Sequence, residues 1–273
     1  MGQSKHESWR TCEWDVNAMR SYAAIHCYDD TKDYSEPLSK GQLIEYIIKL
    51  NLSTDGKKPL TPQQVGRKGE RWLRETYNNI QKTDNICDIS QAAPEDLWIE
   101  DTKDFVYFLT YSYPCTSISQ AGSMTGMKEG SGTASSLLWE VKRLLGGLKE
   151  LPQVLIMENV PQVHSGKNMP EFQKWIDFLT SLGYSSKFQD MNAVDYGVAQ
   201  SRNRTIMVSL LGEYDFEFPK PIPLTKVMAD YLDEEVDERF YVNTDKAQDL
   251  IDRLIREGRL PQPDPKDIHP PRQ

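Results

Sequence analysis

The chain has 273 residues, of which 38% are hydrophobic and 27% charged, so it can bury a core as one large domain or as one domain with an appendage. No stretch approaches the roughly 20 apolar residues of a membrane helix, and the start has no apolar run typical of a secretory signal, which predicts a cytoplasmic protein without membrane contact. A net charge of -9 excludes a protein that wraps nucleic acid over its whole surface, because neutralising phosphates requires clustered Lys and Arg.

Short apolar runs alternate with amphipathic segments along the chain. This alternation is typical of an α/β protein with a doubly wound, largely parallel sheet. The predicted strands share an apolar run and cover residues 8–14, 104–111, 153–157, 184–191 and 205–211. The predicted helices between them cover residues 16–26 after an Asp15 cap, 135–145, and 170–182 ending at Gly183.

A charged segment, about residues 28–85, interrupts this alternation. Its apolar residues recur at helical spacing, so we expect a mostly helical insertion. Thr61 and Gln64 form the pattern of a capping box, with Pro62 at the first helical position, and predict a helix that continues to about Tyr77. No catalytic residue is assigned to this insertion.

The composition changes after Gly212. The following residues are Pro-rich, then acidic, then Pro-rich again, which predicts a catalytic domain over residues 1–212 and an extended linker or tail over 213–273. No Gly-rich turn precedes Trp14, although nucleotide-binding α/β domains usually open with one. We therefore expect the chain to begin inside the fold.

The first candidate site lies where the strand 8–14 gives way to a helix. Glu13 could accept hydrogen bonds from ribose hydroxyls, and Trp14 could stack on an adenine. The alternative is a helix cap at Asp15 beside a core Trp14. Asp88 and Ile89 form a second, weaker candidate for contact with a nucleoside.

Cys115 follows Pro114 on the loop after the strand 104–111 and precedes a Gly-rich stretch. A thiolate in a polar loop is a strong nucleophile, whereas most free cysteines are small buried hydrophobic residues, and both interpretations stay open. The four cysteines form no CxxC pair, so we expect neither a zinc site nor a disulfide, and no metal.

Glu158 and Asn159 follow the strand 153–157, where a partly desolvated carboxyl group could donate a proton to a ring nitrogen. An ordinary strand end is the alternative. Arg202 and Arg204 are two positions apart and suit a base carbonyl or a phosphate, or else form a solvated strand edge. Because ligand sites in open α/β sheets gather at the carboxyl ends of strands, Glu13, Cys115 and Glu158 could share one cleft.

Three ordered blocks resemble the signature blocks of DNA cytosine-5 methyltransferases of the bacterial or phage restriction-modification type. They are Pro114-Cys115, Glu158-Asn159-Val160 and Gln200-Ser201-Arg202-Asn203-Arg204. Cys12-Glu13-Trp14 and Asp88-Ile89 are similar to the adenosine-binding blocks of this family, and Gly132-Thr133 to a further cofactor block. The resemblance covers residues 8 to about 211 and implies a Rossmann-like methyltransferase sheet.

The resemblance also implies roles in methylating duplex DNA. Cys115 would add to carbon 6 of a cytosine that has been flipped out of the duplex, and Glu158 would bind the ring edge and protonate nitrogen 3. Asn159 would orient the loop, Arg204 would hold the base carbonyl, and Arg202 would support nearby structure or a phosphate. S-adenosylmethionine would be the cofactor, and the residues expected to contact it are Glu13, Trp14, Asp88, Ile89 and Pro114.

The chain departs from the family pattern in three respects. Thr116 stands where the family usually has Gln, and we expect this change to tune the loop without removing the nucleophile. The Phe-x-Gly-x-Gly turn and a complete target-recognition region with the final blocks are not recognisable, and residues 213–273 are expected to form a linker and the start of a truncated target-recognition region. The chain is therefore expected to be active in full only with further parts, with a non-catalytic subunit or one piece of a split enzyme with a second polypeptide as alternatives. An RNA cytosine is a weaker alternative substrate.

Overall fold

The computed structural model describes residues 10–115, 126–233, 235–240 and 244–261. These residues form one mixed sheet with helices, which confirms the α/β class. The strands are β1 (Phe108–Ser112), β2 (Val154–Asn159), β3 (Tyr184–Asn192) and β4 (Asn203–Leu211). The helices are α1 (Val16–His26), α2 (Lys40–Ile48), α3 (Pro62–Gly66), α4 (Glu70–Lys82), α5 (Leu138–Gly147), α6 (Met169–Ser181) and α7 (Asp245–Arg256).

The strand order of the described sheet is β1-β2-β4-β3. β1 and β2 run parallel, while β4 is antiparallel to both β2 and β3. The expected largely parallel arrangement therefore holds for only one of the three described pairs. β3 and β4 are antiparallel because the connection 193–202 between them is short, whereas a parallel crossover needs about a dozen residues or more.

The strand predicted over 8–14 is wrong for its described part, because residues 10–14 form no strand. A single parallel bridge instead joins Thr11 to Asn85. The Asn85 amide fixes this contact, since its oxygen accepts from the Glu13 backbone N–H at 2.9 Å and its nitrogen donates to the Glu13 carbonyl at 2.9 Å. Hydrogen bonds from the Asn85 side chain to the Glu13 backbone thus take the place of the backbone hydrogen bonds that a strand would form. Residues 8 and 9 lie outside the described residues.

The helix predicted over 16–26 is confirmed, and the Asp15 carboxylate caps it by accepting from two backbone amides of the first turn. α6 also agrees closely with its prediction and ends just before Gly183, whose φ of +92° favours glycine. α5 begins later than predicted, because residues 134–137 form a 3₁₀ turn ahead of it.

The insertion is helical, as predicted, but the helix expected from Pro62 to about Tyr77 is interrupted. The capping box at Thr61 and Gln64 is present, yet α3 ends at Gly66 and a new helix starts after Gly69. A single helix from residue 62 to 77 was therefore wrong, and two glycines with low helix propensity mark the break. The insertion packs with α1 around its own hydrophobic core, which includes Val16, Met19, Leu43, Leu73 and Ile80.

A second hydrophobic core lies between the sheet and the helices α5 and α6. Its fully buried side chains include Leu155, Met157, Phe172, Trp175 and Met207. Alternate residues of β2 point into this core, as the pleat of a half-buried strand requires. This core fixes the positions of β1, β2 and β4, whose ends carry the candidate site.

The segment after Gly212 is largely exposed. The backbone N–H of Ile222 donates to the Asp195 carbonyl at 2.8 Å, so the segment runs alongside the connection between β3 and β4. α7 has no buried residue. The domain boundary near residue 212 stays a prediction. None of the described helices combines the length and apolar character needed to cross a bilayer.

Candidate active site

The candidate catalytic residues lie at one edge of the sheet. β1 and β2 are parallel, so both reach this edge with their carboxyl ends, and Ser112 pairs with Glu158. β4 is antiparallel and starts here, with Thr205 opposite Asn159. Cys115 follows β1 after two further residues. The topology therefore brings the ends of three strands together, as expected for the carboxyl edge of an α/β sheet.

Glu158 is the centre of an ion-pair cluster. Its Oε1 atom lies 2.9 Å from Arg204 Nε and 3.4 Å from Arg202 Nη2, and its side chain is 37% exposed. Arg202 and Arg204, two positions apart in the sequence, thus converge on the predicted carboxyl group. The three side chains carry a net positive charge, which suits a base carbonyl or a phosphate.

Asn159 connects two of the loops at this edge. The residue is only 2% exposed, and its Nδ2 donates to the Tyr113 carbonyl at 3.1 Å while its Oδ1 accepts from the Val160 backbone N–H at 2.8 Å. The loop that bears Cys115 is thereby attached to the end of β2. A buried amide with both ends bonded holds its neighbours in fixed positions.

The backbone before Cys115 has a second attachment. Ser135 Oγ donates to the Pro114 carbonyl at 2.6 Å, which links this loop to the start of the α5 region. Cys115 is half-buried and packs at the margin of the sheet core. Thr116 and the rest of the segment 116–125 lie outside the described residues.

A second set of predicted site residues, here called the nucleoside group, consists of Glu13, Trp14, Asp88 and Ile89. Burial, together with the nearby carboxylates of Glu13 and Asp88, raises the pKa of Cys12 to about 12. The two acids therefore lie close enough to act on the same thiol. Burial also raises the pKa of Glu13 itself. Cys12 is nevertheless exposed to solvent.

The Asp88 carboxylate already has partners within the chain. It accepts from Asn51 Nδ2 at 3.1 Å and from the backbone and hydroxyl of Ser90 at 2.9 and 2.7 Å. Glu13 accepts from the backbone N–H of Asp15 at 2.8 Å. Each carboxylate oxygen has two lone pairs, so a hydroxyl or amino group of a ligand could still bind.

Ile89 connects the nucleoside group to the sheet. Its side chain packs against the same hydrophobic core as Cys115, and its carbonyl accepts from Arg143 of α5 at 2.9 Å. Trp14 is half-buried, and its carbonyl accepts from the Ser53 backbone N–H at 2.8 Å. The Asp15 carboxylate caps α1, and Glu13 has a separate carboxylate, so a helix cap at Asp15 and a ligand contact at Glu13 are compatible with each other.

Several residues that hold the site were missed from the sequence. Ser135 and Asp190 act through side-chain hydrogen bonds and Tyr113 through its backbone carbonyl, and no local pattern indicates these tertiary contacts. For Ser135, the available sequence signal is a polar residue just before a helix, which is typical of a residue with a structural hydrogen bond at that helix end. Within the described ranges, no group of three or more His, Cys, Asp or Glu side chains is placed to hold a metal ion.

Comparison with known families gives a match over most of the chain. A family model described as C-5 cytosine-specific DNA methylase matches residues 63–259. The match includes Cys115, Glu158 and both arginines of the ion-pair cluster. It also includes the last part of the helical insertion, from residue 63 onward.

Two curated relatives are similar over almost the whole chain. The orphan methyltransferase M.SssI of Spiroplasma monobiae is 37% identical over 246 residues, which are 88% of this chain and 62% of the relative. The type II methyltransferase M2.ScrFI of Lactococcus lactis subsp. cremoris is 33% identical over 89% of this chain and 66% of its own length. The chain thus spans less than two thirds of these relatives. A solved methyltransferase of Entamoeba histolytica, EhMeth, aligns with a TM-score of 0.45 and 18% identity over 64% of this chain and 52% of its own.

Proposed function

Since the chain belongs to the C-5 cytosine-specific DNA methylase family, we propose that it methylates carbon 5 of cytosine in duplex DNA with S-adenosylmethionine as methyl donor. The observation that carries this proposal is the convergence of the Cys115 loop, Glu158 and Arg204 at one edge of the sheet. A nucleophile, an acid and a cation are the groups that this chemistry needs around one pyrimidine ring.

The nucleoside group suits the adenosine part of this cofactor. Glu13 and Asp88 offer carboxylate acceptors for ribose hydroxyls and an adenine amino group, and Ile89 and Trp14 offer apolar surface beside them. Pro114, next to Cys115, would contact the reactive end. When bound, the cofactor supplies an electrophilic methyl group on a sulfonium.

Cys115 would form a bond from its sulfur to carbon 6 of the ring. Glu158 would take up a proton from solvent, bind the ring edge and give this proton to nitrogen 3, so that the electrons displaced by the thiolate make carbon 5 nucleophilic. Arg204, already directed toward this point by its bond to Glu158, would bind the base carbonyl. Carbon 5 would then take the methyl group from the sulfonium. A water molecule would accept the carbon 5 proton, so that the carbon 5–carbon 6 double bond re-forms, the Cys115 thiolate leaves and nitrogen 3 returns its proton to Glu158.

The half-buried position of Cys115 requires the base to leave the duplex. Carbon 6 of a stacked cytosine is out of reach of a side chain held at the margin of the core. Arg202, at 48% side-chain exposure, is the more accessible of the two cations and suits a phosphate beside the flipped nucleotide. The overall charge of -9 is consistent with local contact of this kind.

A methyl-transfer assay tests the proposal. The full chain is incubated with duplex DNA and a cofactor that carries a tritiated methyl group, alongside Cys115→Ala and, as matched control, Cys27→Ala, whose thiol is also half-buried. We expect incorporation by the wild type and the control and none by Cys115→Ala. Equal incorporation by all three would remove Cys115 from the mechanism.

The alternative proposal is a subunit that carries out the same reaction together with a second polypeptide. Calorimetry with S-adenosylhomocysteine distinguishes the two. Binding by the chain alone supports a self-sufficient cofactor site, and methyl transfer that appears only after a second polypeptide is added supports the split enzyme.

A further inference from the structure

A hydrogen-bonded trio lies beside the candidate active site. His164 Nε2 is 2.9 Å from Asp190 Oδ1, and Thr205 Oγ1 donates to the same oxygen at 2.5 Å. Thr205 is fully buried, while His164 and Asp190 are partly exposed. None of these three side chains belongs to the group expected to touch the cytosine.

The trio joins three segments that carry the site. His164 ends the 3₁₀ turn 161–164 that follows Asn159 and Val160, Asp190 lies on β3, and Thr205 lies on β4. In the sheet, Thr205 stands between Asn159 on one side and Asp190 on the other. The turn after β2 is thus fastened across the sheet to the strand that carries Arg204.

Packing fixes the imidazole in this orientation. The His164 ring lies 5.3 Å from the Phe188 ring, which in turn meets Phe172 edge-on at 5.2 Å. Although burial opposes it, the hydrogen bonds from Thr205 and His164 lower the pKa of Asp190. The carboxylate is therefore ionised at neutral pH, where it accepts a stronger, charge-assisted hydrogen bond.

The arrangement does not activate a nucleophile. The Thr205 hydroxyl donates to the carboxylate and not to the imidazole, so no chain of proton transfer runs from the hydroxyl through histidine to the acid. The trio is built to hold segments together. Its nearest functional consequence concerns Glu158, which precedes the fastened turn and bonds to Arg204, the neighbour of Thr205.

We propose that His164 is a positioning residue, which through Asp190 holds the turn after β2 against β3 and β4 and so keeps Glu158 aligned with Arg204. This inference rests on the proposed function, because its effect is on the group that would protonate the cytosine. A displacement of about 1 Å in such a group can reduce a rate by up to about a hundredfold.

The kinetic test compares three substitutions of His164 in the full chain. We expect His164→Ala to lower kcat about tenfold with little change in KM for DNA, because Glu158 acts in the transition state. His164→Gln keeps an N–H donor and should recover most of the rate, whereas His164→Phe keeps the ring but no donor and should not. Recovery by His164→Phe alone would show that ring packing matters and would overturn the proposal.

Controls separate positioning from loss of stability. His26→Ala removes an exposed histidine at the end of α1 and should leave kcat unchanged. Once His164 is Ala, Asp190→Asn, which keeps an oxygen to accept from Thr205, should lower kcat little further, because His164 and Asp190 act as a pair. Lower stability of His164→Ala with an unchanged kcat for the folded enzyme would overturn the positioning role.

A crystal structure of His164→Ala provides a readout that does not depend on activity. We expect the 2.9 Å contact between Glu158 Oε1 and Arg204 Nε to lengthen beyond hydrogen-bonding distance. If the wild-type chain transfers no methyl group, the proposed function of this chain alone fails, and the positioning role is judged on this distance. An unchanged contact would overturn it.

Discussion

The side-chain amide of Asn159 donates to the backbone carbonyl of Tyr113 at 3.1 Å, joining the end of β2 to the loop that carries Cys115. The bond crosses between neighbouring parallel strands at the edge where the candidate site lies. Because the same amide also accepts from Val160, it fixes both the turn after Glu158 and the approach to Cys115. Asn159 therefore supports the relative position of the proposed nucleophile and the proposed acid.

Asn159→Ala tests this support. The change leaves a buried carbonyl and a buried N–H without their partner, which costs about 1–3 kcal/mol in the free energy of unfolding. We expect this loss in urea denaturation, together with a lower kcat. Asn17→Ala, which removes an exposed amide bonded to the Thr54 carbonyl, should change stability by less than about 0.5 kcal/mol. An Asn159→Ala variant with an unchanged free energy of unfolding and an unchanged kcat would contradict the account.

Glu158→Gln separates chemistry from stability. Gln is similar in shape, but its amide cannot transfer a proton to the ring, so methyl transfer should fall by about 10²–10⁴-fold. The ion pair with Arg204 is partly exposed, and its loss should cost less than about 1 kcal/mol in unfolding free energy. Glu75→Gln is the matched control, since that carboxylate is also 37% exposed and pairs with Arg71 at 2.8 Å. Similar activity of the two variants would exclude Glu158 as the acid.

Asp88→Asn tests the cofactor site. Removal of the charge should weaken S-adenosylhomocysteine binding about tenfold in calorimetry, a loss of about 1.4 kcal/mol. Asp33 provides a close control, because it accepts from the backbone and hydroxyl of Ser35 and from Asn78, just as Asp88 accepts from Ser90 and Asn51. Asp33→Asn should leave binding unchanged. Equal weakening of binding by Asp88→Asn and Asp33→Asn would indicate that the substitutions impair folding. It would not support a contact between Asp88 and the ligand.

Asp33 also predicts a pH dependence of stability. Hydrogen bonds from Ser35 and Asn78 lower the pKa of its carboxyl group from 3.8 to about 2. A lowered pKa means that the ionised group stabilises the fold above pH 3.8 and that this contribution is lost as the pH falls toward 2. The difference in Tm between wild type and Asp33→Asn should therefore shrink between pH 6 and pH 2.5. A difference that is constant with pH would contradict the assignment.

Local signals predicted most of the elements. The Asp15 cap and the apolar periodicity defined α1 to the residue, and the apolar runs located all four strands of the described sheet. The helix expected through residue 77 was wrong, because the low helix propensity of Gly66 and Gly69 outweighed the periodicity that continues past them. Capping chemistry shows where a helix begins more reliably than how far it continues.

The direction of the strands could not be read from the sequence. Periodicity reports which residues of β4 are buried, and this pattern is the same for either direction of pairing. The antiparallel placement of β4 is what brings Arg204, at its amino end, beside Glu158, at the carboxyl end of β2. A parallel β4 would have placed these two residues at opposite edges.

The candidate site was predicted as a set of residues but not as a network. Motif spacing identified Glu158, Arg202 and Arg204, while their shared ion pair depends on strand register. The His164–Asp190 pair had no sequence signal, since the two residues belong to different elements and neither lies in a motif. The catalytic and cofactor roles of the predicted residues stay predictions.

The most direct test of the central claim is covalent trapping of Cys115. Duplex DNA with fluorine on carbon 5 of cytosine cannot lose that substituent as a proton, so the thiol adduct should persist after methyl transfer. Mass spectrometry of the digested wild type should show the modified nucleotide on the peptide that contains Cys115, with the same adduct in Cys27→Ala and none in Cys115→Ala. An adduct that forms without Cys115, or on another residue, would contradict the account.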